Sequence, residues 1–188
     1  MPPKVKIAKD DIINTALELC RRHGTGAINA RSIAAELGCS TQPIFSNFAS
    51  MDELQNTVIL SVYELFNNFL KKEEESQNYP RYKSFGMAYI RFAKEEKELF
   101  KLLFMRDRNG EAFVPTSDFD ASVEIIMEAN GISKEKATLM HMEMWACVHG
   151  IAAMFATSFL EFDDDTVSTM LTDVYQGVRA RHTLEDNK

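Results

Sequence analysis

Cysteine, proline and glycine are scarce in this chain of 188 residues, which has three, five and eight of them. So little proline and glycine excludes a collagen-like or disordered chain and leaves too few turn residues for an all-β fold. Three cysteines cannot staple a small scaffold. Cys20, Cys39 and Cys147 are widely spaced with no C-x-x-C pair, which argues against zinc and against a structural disulfide. They read as reduced thiols, and no metal or cofactor is expected. Long hydrophobic runs are missing too: no stretch of about eighteen apolar residues is free of charge. The start, Met1-Pro2-Pro3-Lys4-Val5-Lys6, lacks the apolar segment of a secretory signal, so a cytoplasmic location is expected. Strand-like alternation, internal repeats and low-complexity tracts are also absent.

What is present is an apolar fraction of 45% with 26% charged residues. That suits one compact domain, or a small domain fused to a mid-sized one. The net charge of −7 is unevenly distributed. Residues 1–50 carry +2 and the remainder −9. A mildly basic head on an acidic body keeps nucleic acid open as a partner for the head and counts against it for the body.

Helical spacing recurs along most of the chain, with loops expected at Glu73 to Pro80 and at Asp107 to Pro115. Ile12, Ile13, Ala16, Leu17, Leu19 and Cys20 mark a first helix from Ala8 to His23, stopped by Gly24. Asn29 is a good N-cap for a second, Ala30 to Leu37, ended by Gly38. Ser40 is read as the cap of a third, in which Ile44, Phe45 and Phe48 are expected to face inward. Ser50 caps a long helix predicted to reach about Lys72, and the polar stretch Glu73 to Pro80 reads as a loop. Further helices are predicted at about 80–95, 96–106 and 118–129. A long one, capped by Ser133, is nearly all apolar from Leu139 to Leu160, and a last one spans about 164–181.

Three short helices with a tight Gly38-Cys39-Ser40 turn between the second and third describe a helix-turn-helix, whose third helix offers its first turn to the major groove. Ile33, Ala34, Leu37, Ile44 and Phe48 would form its small core, and Gly38 can take the positive φ that the reversal needs. For base readout the best candidates are Thr41, Gln42 and Ser46, with Asn47 next, because amides can bond adenine N6 and N7 together and Thr offers a hydroxyl or a methyl. Arg31, Ser40 and Ser50 are better placed for phosphates, with Lys4, Lys6 and Lys9 as a basic arm.

The run Arg31-Ser32-Ile33-Ala34-Ala35-Glu36-Leu37-Gly38-Cys39-Ser40-Thr41-Gln42-Pro43-Ile44-Phe45-Ser46-Asn47-Phe48-Ala49-Ser50-Met51-Asp52-Glu53-Leu54 resembles the signature of the TetR family of transcriptional regulators. The resemblance covers about residues 8–54. It implies an all-α protein of about nine helices, with an N-terminal helix-turn-helix domain, 1–50, and a C-terminal domain, 51–188, that binds an effector and dimerises. It further implies a homodimer on a palindromic operator in double-stranded DNA, most simply a repressor released by a small molecule. Where that family usually places Tyr, His and Lys, this chain has Phe45, Asn47 and Met51. One phosphate-bonding hydroxyl and one ammonium are therefore missing, which predicts weaker binding and a shallower salt dependence. A second segment, Trp145-Ala146-Cys147-Val148-His149-Gly150, is similar to a W-x-x-x-H-G pattern in one class of TetR-type C-terminal domains. There Gly150 would let another helix approach closely. His141 and His149 are read as buried or interfacial, each with a hydrogen-bond partner.

Thirteen Phe and ten Met suit a pocket for a lipophilic or aromatic ligand, with Phe85, Tyr89, Phe92, Phe104, Met140, Met144, Trp145 and Phe155 as candidate lining. The long apolar helix and the last one are the expected dimer seam, since one helix of a small monomer is rarely covered on every side. Two other readings compete. One is a TetR-like sensor or interaction protein that has lost DNA binding, suggested by Phe45, Asn47, Met51 and the acidic charge balance. The other is an enzyme, but G-x-S-x-G, H-E-x-x-H and phosphate-loop motifs are absent from the sequence.

Overall fold

A computed structural model describes residues 7–107 and 117–184, and among them all regular structure is helical. The helices are α1 (Lys9–His23), α2 (Ala30–Glu36), α3 (Gln42–Asn47), α4 (Met51–Ser76), α5 (Arg81–Glu95), α6 (Lys97–Phe104), α7 (Ser117–Asn130), α8 (Lys134–Ala156) and α9 (Asp164–Leu184), with a 3-10 turn at Thr25–Ala27. Packing divides the chain into two compact units. The first is Met1–Asn68 with Glu96–Arg106, and the second is Phe69–Glu95 with Asp107–Lys188. Residue 50 marks where the short helices end, but α4 as far as Asn68 and all of α6 pack with them.

The first unit is built on α1, whose Ile12, Ala16, Leu19 and Cys20 are buried with Ile33, Ile44, Phe48, Leu54, Val58, Leu99 and Phe100. Its helix starts are set locally. The Asn29 side chain accepts the Ser32 N–H at 3.0 Å, and Ser50 Oγ accepts that of Glu53 at 3.1 Å, each supplying one acceptor to a helix N-terminus that has none of its own. Ser40 is not a cap: α3 starts at Gln42, and its N-cap Thr41 has helical backbone angles and makes no side-chain capping bond. Leu37 is only half-buried. Arg21 joins α1 to the start of α6 through Glu96, at 2.8 and 2.9 Å.

In the second unit α5, α7 and α9 pack on α8. Phe92, Met140, Ala152 and Phe155 are fully or almost fully buried, the two Phe and the Met each contributing about 1.5–3 kcal/mol. At Gly86 of α5 the neighbouring helices come close: a Cβ there would lie 3.3 Å from both Leu171 and Val148. Gly150 has open space instead, so within this chain it serves no close approach.

Two helix ends differ from the sequence reading. Glu73 to Ser76 are helical because Glu73, 2% exposed, is held by an ion pair with Arg91 of α5, a partner that a linear reading of an acidic run does not see. The helix stops where Gln77 takes φ 53°. At the other end, α8 stops at Ala156 rather than Leu160. Ser158 adopts φ 55° and the Phe159 N–H closes back on the Met154 carbonyl, so the chain reverses despite its apolar sequence.

Candidate nucleic-acid interface

The turn that sets α3 against α2 is fixed by the backbone. Past the last residues of α2, the Cys39 N–H bonds the Ala34 carbonyl at 2.9 Å and the Gly38 N–H bonds that of Ala35 at 3.2 Å. This double closure needs a left-handed residue between the two, and Gly38 supplies it at φ 64°. Ile44 and Phe48, one turn apart, then anchor α3 to the core.

The opposite side of α3 faces outward. Gln42, Phe45 and Ser46 are all exposed, as i, i+3 and i+4 neighbours on one helix face must be when only one side is covered. Phe45 thus departs from expectation: it is 51% exposed instead of facing inward. The reason is geometric, since Ile44 and Phe48 take the covered side and Phe45 lies about 100° round from Ile44. In a helix of six residues that spacing was a readable signal.

The polar candidates differ in what they have to offer. Ser46 Oγ donates to the Gln42 carbonyl at 2.9 Å, and Asn47 Nδ2 donates to the carbonyls of Pro43 at 2.8 Å and Ile7 at 3.4 Å. Asn47 is half-buried and its amide donor tied inward, so it stabilises α3 in the free protein. Thr41 is half-buried at the start of α3, and Ser40 and Ser50 are exposed on either side, Ser50 Oγ already accepting at the α4 cap. Met51 is half-buried. Lys4 and Lys6 lie outside the described residues.

Cations are few here. Between Arg22 and Lys71 the sequence holds one Lys or Arg, which is Arg31. Lys9 stands 3.8 Å from Glu53 and over the Phe48 ring, Arg22 pairs with Glu36 at 2.8 Å, and Arg21 pairs with Glu18 and Glu96. Arg31 is exposed, and among the described residues it has no carboxylate partner. Cys20, buried under this unit, has its thiol pushed up to about 11 by burial and by the Glu98 carboxylate, so it stays protonated and unreactive.

The effector candidates do not converge on one open site. Phe92, Met140 and Phe155 are fully buried, Tyr89 and Met144 are buried, Phe85 is half-buried and Trp145 is 43% exposed. Phe104 belongs to the first unit, against Tyr63, Phe66 and Phe100. Of the others, Tyr89 belongs to one of a pair of cross-helix bonds from α5 to α8. The Tyr82 hydroxyl meets His141 Nδ1 at 3.0 Å, and the Tyr89 hydroxyl meets His149 Nδ1 at 2.9 Å. Burial holds both histidines below their ordinary pKa and pushes the Tyr82 phenol up. Trp145 stacks on His149, ring centroids 5.3 Å apart. Both histidines therefore have the hydrogen-bond partner the sequence reading asked for, and Tyr82 was not foreseen. An open pocket of about 580 Å³ lies in the first unit instead, lined by Thr25, Gly26 and Ile28, by Asp52, Gln55, Asn56 and Ile59 of α4, by Leu102 of α6 and by Arg106 just beyond it. It includes none of the effector candidates.

Comparison with known proteins bears on both units. A family model described as the tetracyclin repressor-like C-terminal domain matches residues 82–175, half of the chain. An uncharacterized HTH-type transcriptional regulator of Mycobacterium tuberculosis is 21% identical over 184 residues, covering 95% of this chain and 84% of that protein. Among solved structures, a TetR family protein from Vibrio parahaemolyticus has the same fold with a TM-score of 0.58 at 16% identity, covering 89% of this chain and 96% of that one.

Proposed function

The chain belongs to the TetR family of transcriptional regulators, and from that premise we propose that it acts in the cytoplasm as a homodimeric repressor of a palindromic operator, released by a small lipophilic or aromatic effector. The observation that carries this reading is the outward face of α3, where Gln42 projects beside the α2–α3 turn with Thr41 at the helix start and Arg31 uncommitted. Gln42 and Thr41 read bases, and Arg31, Ser40 and Ser50 meet phosphates. In this reading residues 1–50 meet DNA, and within 51–188, part of which packs with the first unit, lie the segments that dimerise and bind the effector.

Dimerisation is supported by α8. Leu139, Met142 and Ala146 are exposed, Gly150 and Ala153 partly so, and together they form a stripe at helical spacing with open space over Gly150. A second copy would cover that stripe and set two α3 helices about 34–36 Å apart, one turn of DNA. An effector that binds better to a differently spaced dimer releases DNA by shifting that equilibrium. The Met- and Phe-rich second unit suits an apolar effector, whose entry requires Tyr89, Phe92 and their neighbours to part.

One observation favours a second reading, a sensor with weakened DNA binding: Arg31 is the sole Lys or Arg between Arg22 and Lys71. Selection from a random duplex pool at about 0.1 M salt separates the two. Recovery of an inverted repeat supports the repressor, and an unenriched pool at every salt concentration supports the sensor.

A further inference from the structure

We propose that Phe45 is a specificity residue that reads the 5-methyl group of a thymine in the major groove. The inference rests on the reading of the α2–α3 pair as the operator-binding element. Its starting point is an anomaly of the free protein: a large apolar ring 51% exposed in the middle of a six-residue helix whose inward positions are already filled by Ile44 and Phe48. The ring does not hold α3 in place. Exposed apolar area is costly in water and is recovered when a partner covers it.

The chemistry of the ring narrows what that partner is. Phenylalanine has no donor or acceptor, so it bonds neither a phosphate oxygen nor a polar base edge. On the major-groove edge of DNA the one apolar group is the thymine methyl, and the minor groove displays none. Wedging between base steps is the other use of an apolar side chain, but it belongs to minor-groove binders that kink the duplex. The neighbours strengthen the assignment. Ser46 spends its proton on the Gln42 carbonyl and Asn47 its amide on Pro43 and Ile7, so on this face the Gln42 amide and the Phe45 ring are left to meet bases. They are one helical turn apart, about 5–6 Å between Cβ atoms, against a rise of about 3.4 Å per base on a strand. The half-site therefore holds an adenine for Gln42 and, one or two steps away, a thymine for Phe45.

The test uses the duplex selected by the wild-type protein, with deoxyuridine placed for each thymine in turn. Uracil keeps every hydrogen-bonding group and removes only the methyl. We expect one position in each half-site at which this substitution weakens binding about fourfold, the worth of one buried methyl. Phe45→Ala should bind the thymine and uracil duplexes equally while melting like the wild type, since the ring is exposed. Phe45→Tyr and Gln42→Asn should keep the discrimination. If uracil is tolerated at every position, or Phe45→Ala still discriminates, the inference is wrong although operator binding stands. If the wild type selects no duplex at all, the operator reading fails and takes this inference with it.

Discussion

Two phenylalanines of this chain, one on α5 and one on α3, show how differently the same side chain is used in two helices. Phe92 of α5 is 0% exposed and packs edge-on against Phe69, ring centroids 5.2 Å apart, while Phe45 of α3 is half in solvent. The polar groups divide in the same way. In the second unit they reach across helices: Tyr82 to His141, Tyr89 to His149, Lys83 to Ser168 and Thr172, and Arg91 to Glu73 and Asp164. In α2, α3 and the start of α4 most side-chain bonds to the backbone are local, with Asn29 serving Ser32, Ser46 serving Gln42, and Ser50 serving Glu53, although Asn47 also reaches Ile7. The second unit ties its helices together through several long-range polar pairs. The first has such a tie between Arg21 and Glu96, but α3 satisfies its backbone mostly locally and keeps one face uncommitted.

The contrast is broken most directly by removing both rings. Phe92→Ala should cost about 3–5 kcal/mol in a urea titration, through lost burial and a residual cavity. Phe45→Ala should stay within about 0.5 kcal/mol of the wild type. A comparable loss from the two would erase the distinction between core and surface. Next in size is Glu73→Ala, which strands the partly buried Arg91 guanidinium on α5. We expect a loss of about 1–3 kcal/mol, reduced by the remaining contact of Arg91 with Asp164, and measurable in the same titration.

A smaller effect comes from pH. Burial lowers the pKa of His141 and His149 below the ordinary value of 6.5, so as the pH falls the unfolded chain takes up protons before the folded one. Their contribution is complete above about pH 6.5 and is lost as the pH drops through that value towards the folded pKa. The melting temperature should therefore fall between about pH 7.5 and pH 5.5, and replacing both histidines by Gln should flatten that fall. Smallest of all for stability is Arg31→Ala, an exposed change with no measurable effect on melting. Its signature lies in DNA binding, where the slope of log affinity against log salt should lessen by about one for each half-site.

The same contrast explains what could be read from the sequence. Local devices were legible: Gly38 at its positive φ, the Asn29, Ser50 and Ser133 caps, and the placing of Ile33, Ala34 and Ile44 in the core. The four residues from Glu73 to Ser76 were not, because their helix is held by Arg91, eighteen residues on, and sequence spacing carries no record of that pair. Phe45 was misplaced for a related reason. Hydrophobicity alone sends a phenylalanine inward, and only the shortness of α3, with one side to bury, turns it out. On α3 the residue types did not disclose which polar side chains are already engaged: Asn47 and Ser46 donate within the chain.

The central claim is that the start and outward face of α3 read the operator bases, while Arg31, Ser40 and Ser50 contribute phosphate contacts. It is tested most directly by titrating the selected duplex with the wild type and with the Thr41→Ala, Gln42→Ala double variant, at one salt concentration and with melting curves for both. The account predicts unchanged melting and specific affinity reduced at least tenfold, towards the level of unrelated DNA, since a good bidentate base contact is worth about 1–3 kcal/mol. Unchanged affinity in a fully folded double variant would contradict it, and would move the DNA contact away from α3.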